Sequence, residues 1–242
     1  MMLDAVRAEW GKTWSLRSTF LCLAGAFVLI CATAWTLAND FLYGLAHGDR
    51  SAGTTLAPVD AVAPAVQFGL LLIAAFVMLT VTSEYASGSI RSTLQAEPRR
   101  WLMLAAKTVV SASSAAVAAF VMVAAAGELV RLTLGDHAAA GASGPATAAR
   151  AALIVGVDAV LVVGLAAMVR HSVGALACSF VLFVATLALP SGVAIWAPAG
   201  ASAAFLTNDA ASYPAVVGLV VTAAWAAAIY AAGVIVLRRR DA

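Results

Sequence analysis

Two places in this sequence hold polar side chains whose type and setting could do chemistry. The first is the stretch 82–107, TSEYASGSIRSTLQAEPRRWLMLAAK, which carries two acids and four bases between two long uncharged runs. The second is Asp158, the one acid within the apolar run AALIVGVDAVLVVGL. A charge that is buried away from water is retained only where it is paired or hydrogen-bonded. Both places are therefore candidate functional sites.

The usual arrangements of catalytic and metal-binding residues are missing from the sequence. It contains no G-x-x-x-x-G-K-[ST] loop, no G-x-G-x-x-G that opens a helix, no HExxH and no nucleophile–base spacing. Its histidines are isolated, and its three cysteines show no CxxC spacing. We therefore expect no enzyme, no metal and no other cofactor. Cys22, Cys31 and Cys178 are expected to be small buried apolar residues.

The elements that must position these residues are membrane spans. The chain is 63% hydrophobic and 11% charged, with a net charge of +2, which gives no case for nucleic acid. A soluble domain usually carries about twice that charged fraction. A span needs about 20 apolar residues, and six runs qualify. The prediction is a single all-α integral membrane domain over residues 1–242, with spans at 19–38, 61–83, 108–127, 151–169, 172–189 and 213–237.

Two of these boundaries required a choice between alternatives. The first run is longer than the core of a signal peptide, so we predict an uncleaved first span. The uncharged stretch 172–208 could nearly hold two spans, but Pro190, Gly192 and Pro198 argue against a second regular helix. We therefore predict that 190–212 is re-entrant or surface-lying structure.

The basic residues set the predicted orientation. With six spans, one side carries eleven bases and the other carries Arg50, Arg131 and Arg150. The positive-inside tendency therefore predicts a multi-pass protein with both termini in the cytoplasm. The eleven bases are Arg7, Lys12, Arg17, Arg91, Arg99, Arg100, Lys107, Arg170, Arg238, Arg239 and Arg240.

The N-terminal segment 1–18 has the pattern of an amphipathic helix. Leu3, Val6, Trp10 and Trp14 recur at steps of three and four, with the charged residues off that face. The two tryptophans and the flanking bases favour a helix in the cytoplasmic membrane interface. The alternative is a plain extension of the first span, but Gly11 and the change of pattern at Ser15–Ser18 favour a break.

A short helix is predicted in the cytoplasmic connection between spans two and three. Ser89 can cap a helix that begins at Ile90, and Ile90 and Leu94 share one apolar face. Gly88 would break the chain before it, and Pro98 would end it. The alternative is an ordinary turn whose bases only anchor the topology.

The same segment resembles the permease subunits of bacterial ABC-2-type exporters. The resemblance rests on the order Glu84-Tyr85, Gly88-Ser89-Ile90-Arg91, Pro98-Arg99-Arg100 and Lys107, in the connection between spans two and three. Ser89 stands where Thr is more usual in the family, and Ser83 where many members have Gly. The six-span plan, the amphipathic start and the basic C-terminal tail extend the similarity over the chain.

The resemblance implies an exporter in the cell membrane without a nucleotide site of its own. Two permease protomers, identical or different, would assemble with two ATP-binding subunits. The short helix after the second span would be the coupling element, with the N-terminal helix beside it. The region between spans five and six would form short re-entrant helices at the outer face. The coupling residues carried over are Glu84, Tyr85, Gly88, Ser89, Ile90, Arg91, Leu94, Pro98 and Arg99.

The roles of the two isolated acids stay open at this point. Glu84 at the membrane edge needs a partner, for which Arg91 and Arg99 are candidates. Asp158 is either a substrate contact or gate, or it forms an interhelical hydrogen bond to Ser or Thr. The alternatives to an ATP-driven exporter are a secondary transporter and a membrane anchor subunit without an ATPase. The transported substrate is not specified by these residues.

Overall fold

A computed structural model of the chain describes residues 2–51, 53–89, 99–139, 144–208 and 213–239. The regular structure in these ranges is helical, apart from one isolated bridge between Leu56 and Ala138. The predicted all-α class is thus confirmed. The α-helices are α1 (Met2–Ser15), α2 (Arg17–Ala46), α3 (Pro58–Ala86), α4 (Arg100–Leu134), α5 (Pro145–Val169), α6 (Ser172–Phe183), α7 (Ser191–Ala194), α8 (Pro198–Thr207) and α9 (Ala215–Arg239).

Five of these helices, α2, α3, α4, α5 and α9, are long and apolar enough to cross a membrane. The chain is therefore a multi-pass membrane protein on the length and composition of its helices. The fifth predicted span is shorter than expected. The apolar helical segment there covers Ser172–Ala188 and consists of α6 followed by a 3₁₀ turn. Leu189 is extended, as the residue before a proline favours, so the helix cannot continue through Pro190.

The first four long helices alternate in direction. Gly25 lies against Leu72, and Gly69 lies against Ile30. Later residues of α2 thus meet earlier residues of α3, so the two helices are antiparallel neighbours. Thr80 contacts Ser111 at 3.0 Å, and α4 begins near the end of α3. We call the end of the bundle that contains Lys107 the lysine end. At the opposite end, the bridge between Leu56 and Ala138 joins the α2–α3 connection to the α4–α5 connection.

Helices α5 and α9 run parallel to each other. Near the lysine end, Gly164 lies directly against the backbone of Tyr230 and Gly233. Farther from that end, Ser202 contacts both Asp158 and Thr222. Because both helices advance toward the lysine end, the chain between them returns to the opposite end of the bundle.

Helices α3 and α5 form the centre of the bundle, and much of the core consists of their residues. The outer helices instead expose large apolar side chains, including Leu21 of α2, Val117 of α4 and Val220 of α9. An exposed apolar surface of this kind is typical of helices that face lipid.

Helix α8 is buried among the long helices. The Gln67 side chain of α3 donates a hydrogen bond to the carbonyl oxygen of Ala199 at 3.0 Å. Gly218 of α9 allows close approach to Ala201, whose carbonyl oxygen would lie 2.5 Å from an added Cβ at that glycine. As predicted, no single helix runs through 190–208. The burial of α8 favours the re-entrant alternative over a surface-lying one.

The N-terminal helix α1 extends through Gly11 without interruption and ends at Ser15. The break lies at Leu16, which is extended. Leu3 and Trp10 point outward, as an interfacial helix requires. An adjacent face buries Glu9 and Thr13 against the bundle, a polar contact that the apolar stripe did not predict.

Candidate functional site

Four charged side chains from three helices meet at the lysine end of the bundle. Glu9 and Lys12 come from α1, Glu84 from the last turn of α3, and Lys107 from the second turn of α4. We call this group the ionic cluster. Glu84 and Lys107 belong to the motif that carries the family resemblance, and they are separated by 23 positions in the chain. Antiparallel packing of α3 and α4 brings them together.

Lys107 lies at the centre of the ionic cluster. Its Nζ donates hydrogen bonds to Glu9 Oε2 at 2.5 Å, Glu84 Oε1 at 2.8 Å and the Thr80 carbonyl oxygen at 3.2 Å. Only 2% of its surface is exposed. An ammonium group has three donors, and here each of them has an acceptor. A lysine buried this deeply is tolerated because it is paired and fully hydrogen-bonded.

Lys12 closes the cluster on its outer side. Its Nζ donates to Glu9 Oε1 at 2.8 Å and to Glu84 Oε1 at 3.0 Å, and 45% of its side chain is exposed. Burial lowers the pKa of Lys12, but the hydrogen bonds to Glu9 and Glu84 outweigh it and raise the pKa above its usual 10.5. The stability that this lysine contributes is therefore complete below pH 10.5 and is lost as the pH rises through the folded-state pKa.

A polar cavity of about 440 Å³ lies beside the ionic cluster. Glu84 Oε2 is buried there and has no hydrogen-bond partner among the residues that the structure describes. The cavity is lined by the four cluster side chains, Leu16 and six hydroxyl-bearing residues: Thr13, Ser15, Thr80, Ser83, Ser87 and Ser89.

The turn after α3 follows the predicted pattern up to the last residue that can be described. Gly88 has a φ of +73°, a conformation that favours glycine, so it turns the chain away from the helix axis. The hydroxyl groups of Ser87 and Ser89 are 2.9 Å apart. The described residues do not include Ile90, Arg91, Leu94 or Pro98, so the predicted short helix lies outside them. Arg99 is exposed just before α4.

Tyr85 connects this turn to the end of α5. The Arg170 guanidinium lies 5.1 Å from the centre of the Tyr85 ring, within the range of a cation–π contact. Arg170 ends α5 in the left-handed conformation, with a φ of 58°. The acid–aromatic pair of the motif thus has two separate contacts. Glu84 bonds to α1 and α4, and Tyr85 packs against the residue that ends α5.

Asp158 lies at a different level, in the interior of the bundle. It is 1% exposed, and its two carboxyl oxygens lie 3.3 and 3.2 Å from Ser202 Oγ, which donates to them. Ser202 also lies 3.4 Å from Thr222, whose hydroxyl donates to the Gly218 carbonyl oxygen. The contact matches the interhelical alternative and joins α5 to α8. A contact with substrate stays a prediction.

Sequence reasoning identified one half of the ionic cluster and missed the other. The partners expected for Glu84 were Arg91 and Arg99. Its partners among the described residues are Lys12 and Lys107, and Arg91 lies outside those residues. Glu9 and Lys12 were placed off the apolar face of α1, and no partner was predicted for them. Two signals could have indicated this contact. Lys107 is a base inside a long apolar run, and Glu9 and Thr13 share a helix face adjacent to that of the tryptophans.

No protein-family model matches the chain, and no curated protein matches it either. The described residues contain no group of three or more His, Cys, Asp or Glu side chains that could hold a metal ion. Cys22 and Cys31 are half-buried, but Cys178 is exposed, so the expected burial of that cysteine is wrong. It lies on the outer surface of α6, where a thiol can face lipid as a small apolar group.

Proposed function

We propose that this chain is the permease subunit of an ATP-driven exporter, and that it works as a pair of protomers with two separate ATP-binding subunits. The single observation that carries the proposal is the ionic cluster. It joins α1, α3 and α4 beside Ser87–Ser89, the turn that leads into the predicted coupling segment. The resemblance of that segment to the ABC-2-type permeases supplies the function.

The geometry of the cluster suits the transmission of a movement. Lys107 holds Glu9 of α1 and Glu84 of α3 through short hydrogen bonds in a buried site. A force that acts on the chain after α3 would therefore act on three helices together. Tyr85, in contact with Arg170, would pass the same movement to the end of α5. In this mechanism ATP binding in the partner displaces the coupling segment, and the long helices follow as rigid bodies.

The distribution of charge supports a cytoplasmic position for the lysine end. Among the described residues, the three bases farthest from it are Arg50, Arg131 and Arg150, and the others lie toward it. The parallel course of α5 and α9 supports a sixth crossing, made by α6 and the segments that follow it. Both termini would then be cytoplasmic, as the charge count predicts.

The test is reconstitution with an ATP-binding subunit encoded beside the gene of this chain. The two proteins are co-purified, inserted into liposomes and assayed for ATP hydrolysis with and without the permease. We expect a stable complex in which Glu84→Gln reduces the stimulation of ATP hydrolysis at unchanged expression. The matched control is Glu128→Gln, which removes an exposed acid that pairs with Arg131 at the other end of α4.

Three results would contradict the proposal. A chain that forms no complex with any ATP-binding protein, but carries ion-driven flux alone, would be a secondary transporter. A stable complex whose ATP hydrolysis responds equally to Glu84→Gln and Glu128→Gln would remove the coupling role of the cluster. A chain with neither flux nor an ATPase partner would be an anchor subunit.

A further inference from the structure

Asp158 is a buried acid in the middle of a helix that is long enough to cross a membrane. It lies at least eleven residues from either end of α5, which is about 16 Å along the helix. Only 1% of its surface is exposed, so water does not reach the carboxyl group in this structure. Acids at such a depth are rare in membrane helices, and those that occur commonly belong to ion or proton pathways. What compensates the charge of Asp158 therefore decides what this site can bind.

No basic side chain among the described residues forms an ion pair with Asp158. The helices packed against α5 are α3, α4, α6, α8 and α9. Lys107 of α4 has all three of its donors engaged in the ionic cluster, and α8 has no titratable side chain. The other described titratable groups of α5 and its neighbours lie toward the two ends of the bundle or, for Cys178, on its outer surface: Asp60, Glu84, Tyr85, Glu128, Arg131, Arg150, Cys178, Tyr230, Arg238 and Arg239. Within the described chain, the carboxyl group therefore has no compensating charge.

A single hydroxyl group serves both carboxyl oxygens of Asp158. Ser202 Oγ lies 3.3 and 3.2 Å from them, but a hydroxyl has one hydrogen and donates to one oxygen at a time. The neighbouring hydroxyl of Thr222 donates instead to the Gly218 carbonyl oxygen. A carboxylate that is buried without a paired cation is so costly that the group takes up a proton instead. The carbonyl oxygen of a neutral acid needs only one donor, which Ser202 provides. The surroundings thus suit the neutral acid and not the carboxylate.

The cover over Asp158 is α8, a short helix that is separate from the long ones. Ala197 before it is extended, and Asn208 after it is in the left-handed conformation with a φ of 56°. Helix α8 is therefore continuous with neither α7 nor α9. Its polar contacts with the bundle include the Ser202 contact and the hydrogen bond from Gln67, which is neutral. A movement of α8 would admit water to Asp158 without unfolding a long helix.

We propose that Asp158 is a proton-binding site. Its carboxyl group holds a proton while α8 packs against α5, and it releases that proton when α8 moves away and water enters. In the release the O–H bond breaks, the proton passes to the entering water, and the carboxylate that is left becomes hydrated. The bound proton therefore stabilises the arrangement in which α8 lies inside the bundle. This site does not depend on the proposed export function.

Infrared spectroscopy can detect the bound proton directly, because a protonated carboxyl group has a C=O stretching band that an ionised one lacks. The full-length protein is studied in an alkyl maltoside, a detergent without carbonyl groups. At neutral pH we expect a carboxylic acid band in the wild-type protein that is lost in Asp158→Asn. The matched control is Asp60→Asn at the exposed start of α3. It should leave the band unchanged, because an exposed aspartate is ionised at neutral pH.

A second pair of variants tests the link between the proton and α8. A Cβ at Gly218 of α9 would lie 2.5 Å from the Ala201 carbonyl oxygen, so Gly218→Val should push α8 out of its place. The band of the protonated carboxyl group should then be lost at neutral pH. Gly127→Val makes the same substitution where an added Cβ meets open space, and it should keep the band. Gly218→Ala serves the same purpose if the larger variant does not fold, as judged by gel filtration.

The pH dependence of unfolding gives a third measurement with a definite sign. An aspartate in the unfolded chain ionises near about pH 4, whereas Asp158 in the folded protein keeps its proton. The folded state then binds one more proton, so a rise in pH increases the unfolding equilibrium constant, by up to about tenfold for each pH unit. Between about pH 5 and pH 7, the unfolding temperature of the wild-type protein should fall relative to that of Asp158→Asn. Asp158→Ser replaces that variant if it does not fold.

Each of these measurements has an outcome that would overturn the proposal. The same carboxylic acid band in the wild-type protein and in Asp158→Asn would mean that Asp158 is ionised at neutral pH. An equal pH dependence of unfolding in the two folded proteins would mean that Asp158 binds no proton on folding. Retention of the band in a folded Gly218→Val variant would mean that the position of α8 does not control the proton.

Discussion

At the residue scale, Lys107 is the side chain on which the ionic cluster depends most. Lys107→Met would leave Glu9 and Glu84 buried with Lys12 as the remaining partner. Removal of one partner from a buried ion pair costs about 3–5 kcal/mol, because the charge that stays is uncompensated. We expect a clear fall in the thermal unfolding temperature of the detergent-solubilised protein, followed by intrinsic fluorescence.

Two further variants show whether charge pairing causes that loss. Lys12→Met removes the half-exposed lysine of the same cluster, so its cost should be smaller, about 1 kcal/mol. The double variant Lys107→Met/Glu84→Gln removes one charge of each sign and should recover part of the stability. Equal losses for Lys107→Met and Lys12→Met, without recovery in the double variant, would contradict the account of the cluster.

The Ser202–Asp158 contact gives a second prediction at this scale. Ser202→Ala would leave the buried carboxyl of Asp158 without its donor, at a cost of about 1–3 kcal/mol. The matched control is Ser179→Ala, because Ser179 is equally buried but donates within α6, to the Ala175 carbonyl oxygen. Thermal unfolding of the two variants checks the difference. If the two variants lose the same stability, the hydrogen bond between α5 and α8 does not stabilise the protein.

The sequence pattern identified two residues of the ionic cluster and missed the other two, for a physical reason. Glu84 and Lys107 were identifiable because each is a charge at the edge of, or inside, an apolar run. Glu9 and Lys12 lie in a helix with several charges. The face that Glu9 shares with Thr13 is a weak signal, which does not by itself distinguish a buried acid from a solvated one. Their place in the cluster depends on the packing of α1 against α4, where Glu9 and Lys107 are in contact although they are 98 positions apart.

At the element scale, the contact of α5 with α9 depends on two glycines. A Cβ at Gly164 would lie 2.6 Å from Tyr230 Cα, and one at Gly233 would lie 2.6 Å from the Gly164 carbonyl oxygen. Gly164→Ala should therefore force the helices apart and cost about 1–3 kcal/mol. Gly127→Ala in α4 is the control, because it has open space and a helix gains about 1 kcal/mol from alanine.

Thermal unfolding of these two glycine variants gives opposite expected signs. The unfolding temperature should fall for Gly164→Ala and stay level or rise for Gly127→Ala. A rise for both would mean that α5 and α9 are not in close contact. The sequence could not locate this contact, because alanine and glycine are so frequent in the apolar runs that small-residue spacing marks no particular pair.

The long helices themselves were predictable, and their ends were less so. Runs of about 20 apolar residues identified α2, α3, α4, α5 and α9. The first four of these helices begin before the predicted span, because helical hydrogen bonding continues into the flanks, whereas α9 begins two residues after it. The fifth predicted span is the exception. Its composition suits a span, yet the chain leaves the helix after Phe183 and Pro190 prevents its resumption. Composition cannot predict that α8 then packs inside the bundle.

At the scale of the whole molecule, α5 and α9 run parallel, so the chain between them must cross the membrane. The side of the membrane on which Asn208 lies tests that crossing. Asn208 is exposed at the end of α8, Asp49 is exposed in the connection after α2, and Ser87 is exposed after α3. In a variant without Cys22, Cys31 and Cys178, a single cysteine is placed at each position in turn. A membrane-impermeant maleimide then reports which positions face the outside of intact cells.

We expect Asp49→Cys and Asn208→Cys to react in intact cells, and Ser87→Cys to react only after the membrane is permeabilised. The physical reason is that the lysine end carries most of the bases, and basic connections stay in the cytoplasm. Labelling of Asn208→Cys only after permeabilisation would mean that α6 to α8 do not cross. Helix α9 would then have to run antiparallel to α5, against the contacts of Gly164 with Tyr230 and Gly233. Arg238 and Arg239 would also face outward. The labelling of Asn208→Cys therefore distinguishes the two arrangements.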